Sequence, residues 1–264
     1  MRNILIIGVD SQIGSFLART LEYNNFNVFG STRKKERVGS KTFFFDLANP
    51  KIDFPLSQFD SVVICAGITD MKKCEHEAEE CERINVKNTI RLIDSCAAKN
   101  CFIVFLSSNS VFDSYQPFYN VDAKPNPTSN YGRFKLAVEL YIGMNLNFSA
   151  SILRMTKVIT DKPHFIERWK QEFIEGKEIV TFTNRFLSPV TVNTAADAIL
   201  LLVEKQLPGL YHIGNNEEIS YYDYAKNVFA GNERALSLLK PVRDPSIKGN
   251  CIVHNSLTTH LPRK

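Results

Sequence analysis

A short apolar run at residues 4–7 passes directly into Gly8-Val9-Asp10-Ser11-Gln12-Ile13-Gly14, and a helical pattern begins at residue 12. Strand, glycine turn and helix in this order meet the needs of a phosphate-binding turn. Glycine lets the backbone approach a diphosphate closely, and the helix N-terminus offers unpaired N–H groups. A buried strand that feeds a crossover helix also commits the chain to a parallel sheet. Two glycines remain of the spacing G-x-x-G-x-x-G, with Ser11 in the middle place, where its Cβ adds bulk at the point of approach. Gly8, Ser11, Gln12, Ile13 and Gly14 form the expected diphosphate cradle.

The same alternation continues through the first half. Apolar runs at 4–7, 27–30, 42–45, 61–65, 102–107 and 151–154 are short and continuous, as in strands covered on both faces. Helical patterns fill 12–24, 76–99 and 130–146; the middle one carries Ile84, Val86, Ile90, Leu92 and Ile93 on one side. The expected fold is α/β, with a doubly wound parallel sheet. Beyond residue 154 the elements become shorter and mixed: helix 163–175, strand 179–182, helix 193–205, strand 210–213 and helix 220–229. We read 1–154 as a nucleotide-binding domain and 155–264 as a smaller C-terminal α/β substrate lobe, partly interleaved with it. Residues 114–128, with three prolines, and the polar stretch 241–264 are the expected flexible pieces.

Composition narrows the classes. A 264-residue chain with 44% hydrophobic and 23% charged residues can bury a large core, which excludes disordered and fibrous classes. The net charge of +4 is spread out, and the densest basic run, Arg33-Lys34-Lys35 with Arg37, is short, so nucleic acid is not an expected partner. No apolar stretch has the length of a membrane span, and the first apolar run is too short for a signal peptide. Six cysteines form no Cys-x-x-Cys pair and five histidines are scattered, which points to free thiols in a reducing cytoplasm and to no metal site.

The end of the second strand selects between cofactors. An acid there bonds the ribose hydroxyls of NAD(H); a cation accommodates the extra phosphate of NADP(H). The chain has Ser31-Thr32-Arg33-Lys34, so NADP(H) is preferred over NAD(H), with Arg33 as the chief phosphate contact and Ser31 or Thr32 as hydrogen-bond donors. A solvated basic loop is the plain alternative. Asp46 and Leu47, after the third strand, are expected at the adenine end. Ala66 and Gly67, after the fourth, are small enough for a cofactor to lie on the strand ends.

Residues four apart share a helix face, so Tyr131 and Lys135 in Tyr-Gly-Arg-Phe-Lys project together. An ammonium beside a phenol stabilises phenolate and is expected to lower the phenol from its usual pKa of about 10. Tyr131 then exchanges a proton with a substrate oxygen. Tyr222 and Lys226 repeat the spacing, but Tyr131 alone opens the helix after the fifth strand, which ends in Ser107-Ser108-Asn109-Ser110. Ser108, in preference to Ser107 or Ser110, is the hydroxyl expected to polarise a substrate carbonyl.

Taken together, Gly8 to Gly14, Ser107-Ser108, Tyr131 to Lys135, Ile152-Leu153-Arg154, Ser188-Pro189-Val190 and Gly209-Leu210-Tyr211-His212-Ile213 resemble the extended short-chain dehydrogenase/reductases. The dTDP-4-dehydrorhamnose reductase branch in particular has Tyr-Gly-x-x-Lys-Leu-x-x-Glu, matched by Tyr131 through Glu139, and the likeness continues to Asn255-Ser256-Leu257. The resemblance implies a Rossmann core, a sugar-nucleotide lobe and hydride transfer from NADPH to a nucleotide-linked 4-keto-6-deoxy sugar, with Ser108, Tyr131 and Lys135 as the catalytic set. It also admits a homodimer.

Departures gather where the sugar is expected. The family's Ser-Thr-Asp-Tyr-Val-Phe reads Ser107-Ser108-Asn109-Ser110-Val111-Phe112, and its Arg-Thr-Ser-Trp reads Arg154-Met155-Thr156-Lys157, so two aromatic walls are replaced. Asn109, Ser110, Arg154, Lys157 and Arg185 are the expected substrate contacts, with Lys157 and Arg185 suited to a diphosphate or an acidic sugar. Two other functions stay open: an NAD(P)-dependent sugar-nucleotide epimerase, and a non-catalytic NADP-binding regulatory subunit of the same fold.

Overall fold

The computed structural model describes residues 1–146, 149–160, 163–247 and 251–262. The elements run β1 (Asn3–Ile7), α1 (Gln12–Tyr23), β2 (Asn27–Thr32), β3 (Thr42–Phe44), β4 (Ser61–Ile64), α2 (Met71–His76), α3 (Ala78–Glu82), α4 (Thr89–Ala97), β5 (Phe102–Ser108), α5 (Asn130–Asn145) and β6 (Ala150–Met155). They continue as β7 (Val158–Ile159), α6 (His164–Ile174), β8 (Ile179–Phe182), β9 (Phe186–Leu187), β10 (Val190–Thr191), α7 (Val192–Lys205), β11 (Gly209–Ile213), β12 (Ile219–Ser220), α8 (Tyr221–Val228), α9 (Glu233–Ser237) and β13 (Leu239–Val242).

Seven strands form one parallel sheet in the order β11-β6-β5-β4-β1-β2-β3. This is the doubly wound α/β architecture expected from the sequence. The order reverses between β1 and β4, and such a switch point opens a crevice at the carboxyl ends of the strands. Side chains alternate between the two faces. Ile4 and Ile6 pack with Leu17 and Leu21 of α1 and with Ile199 and Leu202 of α7. Leu5 and Ile7 pack with Leu92 and Ile93 of α4 and with Val138 and Ile142 of α5. Helix α7 and strand β11, both downstream of residue 154, belong to this layer.

The single helix expected over 76–99 is instead broken. Helices α2 and α3 are distinct, and Arg83–Asn88 forms a π-helical stretch before α4. The widened turn turns two buried amides inward. Asn85 accepts from the Ile68 N–H and donates to the Ile68 carbonyl, both at 2.8 Å, and Asn88 donates to the Leu47 carbonyl at 2.8 Å. The loops after β4 and β3 are thereby fixed by one helix.

A smaller cluster around Trp169, Ile179, Ala225 and Phe229 joins α6, β8 and α8. Residues 251–262 lace this lobe to the sheet, since Val253 pairs with Arg185, Leu257 with Tyr119 and His260 with His212. Residues 114–128, expected to be loose, are held by the same lacing: the Phe118 N–H donates to Ser256 Oγ at 2.7 Å, and Tyr119 stacks on Phe112 at 4.3 Å. Of the stretch 241–264, residues 248–250 and 263–264 lie outside the described residues.

Candidate active site

A cleft of about 870 Å³ opens at the switch point, lined by Gly8, Ser11, Thr32, Arg33, Ala66 and Gly67 among others. Gly8 has φ +87°, and a Cβ there would lie 3.1 Å from Ala66, so only glycine keeps the cleft floor at this depth. Gly14 has no room for a Cβ against the Gly8 carbonyl. Ser11 caps α1: its Oγ accepts from the Gly14 N–H at 3.0 Å, engaging one of the donors that a diphosphate would meet. Gln12 is exposed and Ile13 packs into the core; neither side chain lines the cleft.

Arg33 and Lys34 line the cleft as expected, but the two hydroxyls before them are engaged within the protein. Ser31 is buried and its Oγ accepts from the Gly8 N–H at 3.0 Å, which holds the turn and leaves its hydroxyl hydrogen uncommitted to that bond. Thr32 donates to Asp10. Asp46 accepts from the Ala48 N–H at 3.0 Å at the far wall, beside the buried Leu47. The sequence reading missed Asp10, which lines the cleft and pairs with Arg37. The partners stand 27 residues apart, and no local pattern joins them.

At the other end of the crevice, α5 docks on the turn after β5. Ser129 caps α5 through the Gly132 N–H at 3.1 Å, and Gly132 leaves no room for a Cβ against the Ser110 carbonyl. That close approach brings Tyr131, at the start of the helix, beside Ser108, at the end of the strand. The Ser108 Oγ accepts from the Ser110 N–H at 3.1 Å.

Lys135 Nζ donates to the Leu106 carbonyl at 2.8 Å and lies 4.7 Å from the Phe105 ring centre and 5.8 Å from that of Tyr131. The expected depression of the Tyr131 pKa is not found. Burial pushes the phenol up to about 12, and the Ser108 hydroxyl opposes that rise. Burial also brings the Lys135 ammonium down to about 8. The sign differs from expectation because both groups lose water, and desolvation disfavours the charged form of each.

Arg154 is corrected from a substrate contact to an interior one. It is 3% exposed, and its guanidinium donates to Glu139 of α5 at 2.6 and 3.0 Å. Ser107 also donates to Glu139, so β5, α5 and β6 meet at one carboxylate. Beyond Arg154 lies His212, 3.3 Å away and fully buried; burial lowers it to about 3, so it is neutral.

Arg185, partly exposed, pairs with Asp244 in the lobe. Lys157 is exposed, and its Nζ sits 5.5 Å from the Phe165 ring centre. Asn109 donates to Asn255 Oδ1 at 3.2 Å, and Asn255 donates to the Phe186 carbonyl at 2.8 Å, so the residue next to Ser108 is tied to the lacing segment. Ser110 Oγ lies 3.1 Å from Ser108 Oγ. The second tyrosine–lysine pair stands apart on α8, where Lys226 pairs with Asp223 at 2.7 Å. Among the described residues no group of three or more metal-ligating side chains is gathered, and no helix is long and apolar enough to cross a membrane.

Comparisons with known proteins agree with this architecture. The chain is 24% identical over 264 residues to methionine adenosyltransferase 2 subunit beta of Bos taurus, covering 94% of this chain and 77% of that protein. It is also 24% identical over 240 residues to the probable low-salt glycan biosynthesis reductase Agl14 of Haloferax volcanii, covering 84% and 78%. The crystal structure of dTDP-4-dehydrorhamnose reductase from Bacillus anthracis, in complex with NADP, shares the fold with a TM-score of 0.82 at 20% identity, over 98% of this chain and 91% of that one. The model of the RmlD substrate binding domain matches residues 1–248, and the chain therefore belongs to that family, within the extended short-chain dehydrogenase/reductases.

Proposed function

We propose that the protein is an NADP(H)-dependent reductase of a nucleotide-linked 4-keto-6-deoxy sugar. The observation that carries this reading is the docking of α5 on the Ser108–Ser110 turn, which sets Tyr131 beside Ser108 at the carboxyl end of β5, the strand next to β4 and its cleft-lining residues Ala66 and Gly67.

The cleft fits a nicotinamide dinucleotide in shape, because its floor is Gly8 against Ala66 and a Cβ there would fill it. The cofactor, when bound, supplies the hydride. Arg33 and Lys34 are the cations available to its ribose phosphate, and Gly8, Ala66 and Gly67 leave space along the strand ends. At neutral pH the Tyr131 phenol, with its pKa near 12, is protonated, the form that reduction needs: it gives its proton to the carbonyl oxygen as the carbon is reduced. Ser108 donates a hydrogen bond to the same oxygen and favours charge developing there. Lys135, held by the Leu106 carbonyl, keeps a positive charge beneath the Tyr131 ring. Asn109, Ser110 and Lys157 face the sugar end, and Lys157 suits an anionic substituent.

A second reading, a dinucleotide-binding subunit without turnover, is favoured by Ser11, whose hydroxyl takes the Gly14 N–H, and by the relative whose name describes a subunit. The deciding test is NADPH oxidation with a panel of nucleotide-linked 4-keto sugars. The reductase reading requires consumption by the parent and its loss in Tyr131→Phe, with NADPH affinity retained. No consumption by either protein, with cofactor still bound, favours the subunit.

A further inference from the structure

Asp10 sits inside the glycine-rich turn, between Gly8 and Ser11, and lines the cleft. One carboxylate oxygen accepts from the Thr32 hydroxyl and the other from the Arg37 guanidinium. Thr32 Oγ1 in turn accepts from the Lys34 N–H at 3.0 Å. Burial on its own would raise the Asp10 pKa, but the Thr32 and Arg37 hydrogen bonds and the Arg37 and Lys34 charges outweigh it and bring the group below the usual carboxylate range. The cleft wall that carries Arg33 and Lys34 thus already holds an anion. That anion engages two groups suited to a phosphate beside Arg33 and Lys34: the Thr32 hydroxyl at the strand end and the Arg37 guanidinium.

We propose that Asp10 is a specificity-determining residue of the cofactor site: an internal anion that competes with the 2′-phosphate of NADP(H) for Arg37 and Thr32. The same carboxylate accepts a hydrogen bond from the free 2′-hydroxyl of NAD(H). The site therefore takes both cofactors instead of excluding NAD(H). This rests on the reading of the cleft as a nicotinamide dinucleotide site. The Arg37 side chain is 57% exposed, so its attraction is screened by salt and moderate in size.

The test is calorimetric titration of the full chain with NADPH and with NADH. The parent should bind the two within about tenfold of each other. Asp10→Asn frees Arg37 and Thr32 and should tighten NADPH by about fivefold, the scale of one exposed ion pair, while NADH is unchanged or weaker. The gain should shrink as ionic strength rises and vanish when Arg37→Ala is added. Should Asp10→Asn fail to fold, Arg37→Ala alone decides: NADPH must weaken while NADH holds. An Asp10→Asn protein whose NADPH affinity is unchanged or lower, or an Arg37→Ala protein in which both cofactors shift equally, overturns the Asp10 assignment and leaves the dinucleotide reading standing. A parent that binds neither dinucleotide overturns that reading and the assignment with it.

Discussion

The α-carbon of Gly132 rests against the carbonyl oxygen of Ser110, where any Cβ would overlap. This contact helps set the distance between the first turn of α5, which carries Tyr131, and the end of β5, which carries Ser108. Gly132→Ala must push the helix start outward and carry Tyr131 away from Ser108. We expect turnover to fall by about a hundredfold, the scale of a misplacement near 1 Å, and stability to fall by about 1–3 kcal/mol from overpacking. NADPH affinity, set at the other end of the cleft, should stay near that of the parent. Stopped-flow turnover with parallel calorimetry separates the two effects; equal loss of both would sink the idea.

The buried Lys135 gives a pH signature. Its ammonium, lowered to about 8, loses its proton as pH rises through that value, while the Tyr131 phenol near 12 stays protonated. Reductive turnover should therefore decline on an alkaline limb near pH 8. Lys135→Arg, whose guanidinium stays charged, should remove that limb from the accessible range at some cost in rate. A limb that survives the substitution would assign it to another group.

Much of this site can be read in the chain before folding is considered, because strands buried on both faces leave continuous apolar runs. The turn at Gly8 and the order Ser108, Tyr131, Lys135 follow directly from those runs. What is not legible depends on tertiary contact. The break at Arg83–Asn88 exists because Asn85 and Asn88 must reach Ile68 and Leu47, and that need is invisible along the helix. Arg154 looks like a cation for substrate until Glu139 is placed beside it. The pKa of Tyr131 runs against its expected direction for the same reason, since a spacing of four reveals the neighbour and says nothing about lost water.

Glu139 and Arg154 form a buried pair, with side chains 4% and 3% exposed. Glu139→Gln leaves the guanidinium without its counter-charge and should destabilise the fold by about 3–5 kcal/mol. Replacing both residues by methionine should cost less than either single change, as measured by urea unfolding. If the double variant is no better than the sum of the singles, the two residues act separately.

His212 predicts acid sensitivity. Its Nε2 faces the Arg154 guanidinium at 3.3 Å, and the ring is fully buried. Folded, it resists protonation until about pH 3; unfolded, it binds a proton near 6.5. The unfolded state therefore holds more protons between these values, and stability is lost as pH falls below 6.5, by up to about 1.4 kcal/mol per pH unit. His212→Asn should flatten that part of the unfolding curve even if its stability at neutral pH is lower. Parallel slopes in the two proteins would exclude His212 as the source.

The lacing of residues 251–262 across the lobe and the sheet has a consequence in time. A nascent chain that has emerged only as far as residue 247 already carries every strand of the main sheet and the whole glycine-floored cleft. Asn109, Phe118, Tyr119 and His212 still await their partners Asn255, Ser256, Leu257 and His260. Synthesis thus delivers the sheet and the floor of the cleft first, and only afterwards the segment that ties the turn after β5 and the edge of the sheet to the lobe.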